Sequence, residues 1–140
     1  MTPEQVLSNA ARVLTQAQRE HYFECGYLAV DSLIPMTWIE RLRKVTSGFL
    51  EASRNETKSG TVFDLTPGHS ASQPRLRRLR RPDERDPVYW DFARDLIADV
   101  AADLVGPDVL FHHSKLNFKW SDGTDQVHWH QDISFYPHTN

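Results

Sequence analysis

"QVHWHQDISFY", residues 126–136, is the stretch on which the reading of this chain turns. Aromatic and β-branched residues alternate in it with polar ones, the composition of a half-buried strand. In an extended strand, side chains at i and i+2 point to the same face, roughly 6–7 Å apart along the chain. His128, His130 and Asp132 therefore share a face, and an imidazole nitrogen and a carboxylate oxygen converge there.

Such a pair can hold a divalent metal. With a second His from elsewhere, His130 and Asp132 make the facial triad of non-haem Fe(II) oxygenases, which leaves three positions free for a 2-oxo acid and dioxygen. Taken alone, His-x-Asp is also the pattern of a hydrogen-bonded surface pair, and this composition produces about 0.6 such pairs by chance. The preceding stretch, "VLFHHSKLNFKW" (109–120), reads as another strand, joined to the first by the turn "SDGTD" (121–125). His113, Lys115, Asn117 and Lys119 alternate on one face of it, and Leu116 and Phe118 on the other. The polar row reads either as the lining of a cavity or as an edge facing water.

Upstream of residue 107 the signals are helical. Thr15 reads as the N-cap and Gly26 as the stop of one helix, and "YLAV" (27–30) as a brief strand. Pro35 opens a second helix to about Arg54, with Trp38, Ile39, Leu42, Val45, Phe49 and Leu50 spaced to bury one face. Residues 55–74 read as a long loop with a short strand within "TVFDL" (61–65). Asp86 and Pro87 start a third helix that stops at Gly106, with Phe92, Leu96, Ile97, Val100 and Leu104 on its buried face. Between loop and helix lie six arginines, Arg75 to Arg85. They read as a solvated strand and turn pairing with Asp83, Glu84 and Asp86, or as a receiver for an anionic substrate.

The chain has 140 residues and a net charge of −3, the size of one domain and without the basic surplus of a general nucleic-acid binder. It shows no apolar run long enough for a membrane span and no secretion signal. One cysteine, Cys25, cannot form an internal disulfide. The expectation is a cytoplasmic protein with no nucleic-acid or membrane partner.

The run "VHWHQDISFYPHTN", the strand "HHSKLNFKW" and the opening "QREHYFECGYLAVDSLIP" together resemble the phytanoyl-CoA dioxygenase family. Gly26, Tyr27, Leu28, Asp31 and Pro35 match the family's opening, and Trp129, His130, Gln131 and Asp132 match its Trp-His-Gln-Asp iron motif. The resemblance implies an α+β or mainly β chain on a double-stranded β-helix, the cupin-like jelly roll, with N-terminal helices. Residues 1–106 would be a mainly helical flank and 107–140 the first strands of the core. It implies an Fe(II)- and 2-oxoglutarate-dependent dioxygenase, with His130 and Asp132 as iron ligands. Asn117 and Lys119 would contact 2-oxoglutarate, and His113, Lys115 and Gln131 would lie nearer a small-molecule or acyl-CoA substrate. Related halogenases lack the carboxylate at the position of Asp132, so the resemblance implies hydroxylation, with 2-oxoglutarate converted to succinate and carbon dioxide.

In this family the second iron His and the Arg that pairs with 2-oxoglutarate come from later strands. A jelly roll needs about eight strands, so the expectation is the N-terminal half of a longer protein, inactive by itself. The alternative is a non-catalytic metal-binding or interaction module built on His128, His130 and Asp132.

Overall fold

The computed structural model describes residues 1–122 and 127–132. Helices dominate the first hundred residues. Helix α1 spans Pro3–Leu7, α2 Gln16–Cys25 and α3 Met36–Ala52. Strands β1 (Phe63–Leu65) and β2 (Leu76–Arg80) follow, then α4 (Pro87–Phe92), α5 (Ala98–Val105) and strand β3 (Lys115–Asn117). The three strands form one antiparallel sheet in the order β1-β2-β3, so the protein is a mixed helix-and-sheet chain. No helix among the described residues is long and apolar enough to cross a membrane.

Local chemistry sets the helix ends. The Thr15 hydroxyl accepts from the Gln18 backbone N–H, and the Gln18 side chain accepts from the Thr15 N–H, a reciprocal cap that satisfies two orphan donors. Gly26 ends α2 at φ 78°, in the left-handed region that a side chain disfavours. Pro35 precedes α3, whose half-buried positions include the expected Trp38, Ile39, Leu42, Val45, Phe49 and Leu50. The Asp86 carboxylate caps α4 by accepting from Val88 N–H at 2.9 Å.

The core forms where α3 and α4 lie against one face of the sheet. Phe63, Leu76 and Leu79 are buried there, with Phe49, Leu50, Tyr89, Leu116 and Phe118 packed around them. The Tyr89 hydroxyl lies 2.8 Å from Thr46 Oγ1 and ties α4 to α3. Leu76 and Leu79 are three apart, so a regular strand would send them to opposite faces. A β-bulge reconciles them: Leu76 pairs with Leu65 and Arg78 with Asp64, leaving Arg77 as the extra residue.

Four expectations need correction. Residues 27–30 form no strand, because no strand among the described residues offers them a ladder, and Tyr27 is exposed. The third helix is not uniform. A π-helical turn over Ala93–Ile97 separates α4 from α5 and inserts an extra residue into the helical repeat, and Ile97 is exposed rather than buried. In the stretch 109–120, strand pairing is confined to β3. Residues 127–131 carry no strand, since none of the three strands pairs with them; the remainder of that expected strand and most of the turn before it lie outside the described residues.

The arginine run resolves into β2 and the turn after it. Arg81 pairs with Glu84 as expected, whereas Arg78 and Arg80 turn to Asp64 on β1 and Arg75 to Asp122. Strand pairing explains the change of partner: it brings β1 beside the arginines, while Asp86 is used as a helix cap and Asp83 accepts from the Ser114 hydroxyl.

Candidate metal centre and the polar sheet face

His130 and Asp132 come together. His130 Nε2 lies 3.3 Å from Asp132 Oδ1, and His130 Nδ1 lies 2.7 Å from the His128 backbone oxygen. A carbonyl can accept but not donate, so Nδ1 carries the proton in this contact. When the imidazole is neutral, its lone pair is then on Nε2, the atom facing the carboxylate. Holding one ring nitrogen with an acceptor while the other faces a metal is the usual way a protein orients a histidine ligand.

The spacing also fits a metal. Two ligands at right angles, each about 2.1 Å from a metal, stand roughly 3.0 Å apart. The observed 3.3 Å is therefore close to what two neighbouring corners of an octahedron require. Both side chains are accessible, at 47% and 70% exposure, and His130 lines a hollow of about 310 Å³ together with Val127, His128 and Trp129. Among the described residues no group of three His, Cys, Asp or Glu side chains could hold a metal. The donor set thus fits two of the three positions of a facial triad. Gln131 is exposed between His130 and Asp132 in sequence. His128 enters through its backbone carbonyl, a role no side-chain pattern reveals.

The other expected site residues lie on or beside β3. Lys115 and Asn117 are exposed, and so are His113 and Lys119 on either side of them, while Ser114, Leu116, Phe118 and Trp120 alternate as half-buried positions. Leu116 and Phe118 face the core, so among the described residues the polar row lies on the opposite, accessible face of the sheet. Asn117 Oδ1 accepts from Arg78 Nε at 3.2 Å. His113 packs edge-on against His112 with ring centroids 4.6 Å apart. Trp120 closes the end of the stretch by donating to the Leu76 carbonyl at 2.7 Å.

Two further residues escaped the sequence reading. His69 accepts from Arg75 N–H at Nδ1 (2.9 Å), which leaves Nε2 to donate to the Ser53 carbonyl (3.0 Å). It thereby links the start of β2 to the end of α3. Asp103, buried on α5, accepts from the backbone of residues 12–14. No local signal could have found either, because their partners are 6 and 16 residues away for His69 and 89–91 for Asp103.

The phytanoyl-CoA dioxygenase family model matches residues 22–140. The chain is also 32% identical over 133 residues to a protein of Stutzerimonas stutzeri described as a probable alpha-ketoglutarate-dependent hypophosphite dioxygenase, a match covering 88% of this chain. It spans 43% of that relative's length. No solved structure matches the chain. The match over nearly all of the chain, together with the curated relative, shows that it belongs to the phytanoyl-CoA dioxygenase family, for which Fe(II) and 2-oxoglutarate are the implied cofactor and co-substrate.

Proposed function

We propose that this chain is the N-terminal part of an Fe(II)- and 2-oxoglutarate-dependent dioxygenase that hydroxylates a small-molecule or acyl-CoA substrate. In this reading residues 107–140 begin a double-stranded β-helix and residues 1–106 flank it. The observation that carries it is the His130 Nε2 to Asp132 Oδ1 spacing of 3.3 Å, with Nδ1 tied to the His128 carbonyl.

His130 and Asp132 hold the metal at two adjacent positions. Asn117 and Lys119 contact 2-oxoglutarate, and His113, Lys115 and Gln131 lie towards the substrate. When bound, iron and 2-oxoglutarate would allow dioxygen to act as the oxidant, one oxygen atom entering succinate as the 2-oxo acid loses carbon dioxide and the other entering the hydroxylated substrate. The protein's own residues fix the ligand geometry, orient the substrate and limit access of water. Asp132 supports hydroxylation over halogenation, because its carboxylate occupies the position a halide would need. Family membership favours this reading over a non-catalytic module built on His128, His130 and Asp132.

The test is succinate release by the complete gene product supplied with Fe(II) and 2-oxoglutarate. His130→Ala and Asp132→Ala should each lose at least about 100-fold in rate, as expected when a ligand of the reacting metal is removed. Full activity in either variant would show that the metal is held elsewhere.

A further inference from the structure

The outward face of the sheet carries more cations than carboxylates. On β2, Arg78 and Arg80 are two apart and share the face turned away from buried Leu79. Pairing places Arg78 opposite Asn117 and Arg80 opposite Lys115 on β3. Like charges directly opposite one another on antiparallel strands repel, and here they stand about 5 Å apart at Cβ. One carboxylate of the sheet answers them. Asp64 on β1 accepts from Arg80 Nη2 at 2.6 Å and lies 3.8 Å from Arg78 Nη1. The Lys115 side chain has no hydrogen-bonding or ionic partner among the described residues. Three cations facing one acid leave positive charge in excess, although the chain as a whole carries −3.

The unused donors point the same way. A guanidinium has five N–H groups, and Asp64 engages Arg80 through Nη2. Nε and Nη1 of Arg80 are left for a second, bidentate partner. Asn117 spends its carbonyl oxygen on Arg78, so its amide nitrogen remains available to donate.

We propose that this face binds a compact oxyanion carried by the substrate, a phosphinate, phosphite or phosphate group, received by Arg80 and Lys115 with Asn117 at the edge. Asp64 acts as a positioning residue that holds both arginines in the plane of the strands. The assignment rests on the reading of Lys115 as a substrate-side residue. It also extends that reading to Arg80, and it narrows the substrate to an anion small enough to sit on the sheet face between two facing cations. 2-Oxoglutarate is the other anion of the proposed reaction, and the experiment separates the two.

The probe is sodium phosphite, titrated calorimetrically at low ionic strength into the complete metal-free protein, with sodium chloride as control. Saturable binding is expected, weakened tenfold or more in Lys115→Gln and in Arg80→Gln and unchanged in Arg94→Gln. The exposed Lys115 side chain makes no hydrogen bond or ion pair among the described residues whose loss would disturb folding, so that variant is decisive if Arg80→Gln proves unstable. Absence of saturable binding, or equal binding by Lys115→Gln, overturns the assignment. Displacement of phosphite by 2-oxoglutarate with the same losses in the variants also overturns it, since the face would then serve the co-substrate. No iron or turnover enters the titration. Phosphite binding by a protein that releases no succinate would refute the dioxygenase reading and leave the anion face standing.

Discussion

The carboxylate of Asp103 gathers three successive backbone donors. Arg12 N–H reaches Oδ1, and Val13 and Leu14 N–H reach Oδ2, all at 2.8 Å. The buried Arg19 guanidinium donates to the Asp103, Asn9 and Val6 carbonyls and to Gln16 Oε1. Together they fasten the N-terminal segment to α5. Burial pushes the Asp103 carboxyl up, but the N–H groups of Leu14, Arg12 and Val13, with the Arg19 charge, outweigh it and hold the group below its ordinary value. The folded carboxyl therefore binds its proton less tightly than the unfolded one, and acid favours unfolding. The clasp contributes fully above the unfolded value of about 3.9 and is lost as pH falls through the lower folded value. Asp103→Asn turns an amide NH₂ toward backbone donors, and should cost about 1–3 kcal/mol at pH 7. Urea denaturation at pH 7 and pH 3 checks both parts: the gap between parent and variant should narrow in acid. A gap independent of pH would mean that the charge plays no part.

At the scale of elements, the bulge in β2 decides whether the sheet has a core face at all. Arg77 is the residue that lets Leu76 and Leu79, both fully buried, point to the same side. Deleting Arg77 should leave them two apart, so a regular strand without the bulge keeps both on the core face, and thermal unfolding should stay cooperative. Burying a leucine against its exposure is worth about 1.5–3 kcal/mol, so a loss of stability of that size would show that one leucine had turned to the polar face and that Arg77 is not simply the extra residue. This dependence was not legible in "RLRRLR", because a bulge is a property of two strands in register and one strand shows half of it. The same distinction sorts the rest. Thr15 with Gln18, Gly26, Pro35 and Asp86 with Pro87 announced helix ends because capping involves residues two to four apart. "YLAV" has strand composition but lacks a partner, and pairing cannot be read from one segment. The π turn moved Ile97 off the face its spacing implied. His130 and Asp132 were legible for the same local reason as the caps, being two residues apart, whereas the carbonyl of His128 was not.

Across the whole molecule, the helices cover one side of the sheet and leave its polar side and the His130–Asp132 pair accessible. The proposed metal centre has two candidate donors, His130 and Asp132, among the described residues, in a chain that spans 43% of its curated relative's length. Affinity for a divalent ion depends on how many donors are held in place and how firmly. A third ligand from further along the sequence should therefore tighten binding by about 100-fold or more relative to the 140-residue chain, given that even losing a supporting contact costs about 10–100-fold. Titration of Mn(II) into both forms measures the ratio. The His128→Ala variant sharpens the reading, because it removes the imidazole but keeps the backbone carbonyl that accepts from His130 Nδ1. Its affinity should stay within about threefold of the parent, which is far less than loss of a ligand costs. If the two forms bind Mn(II) equally and His128→Ala abolishes binding, the ion is held by three side chains of this short segment. The pairing of His130 and Asp132 would then belong to a different kind of site from the one proposed.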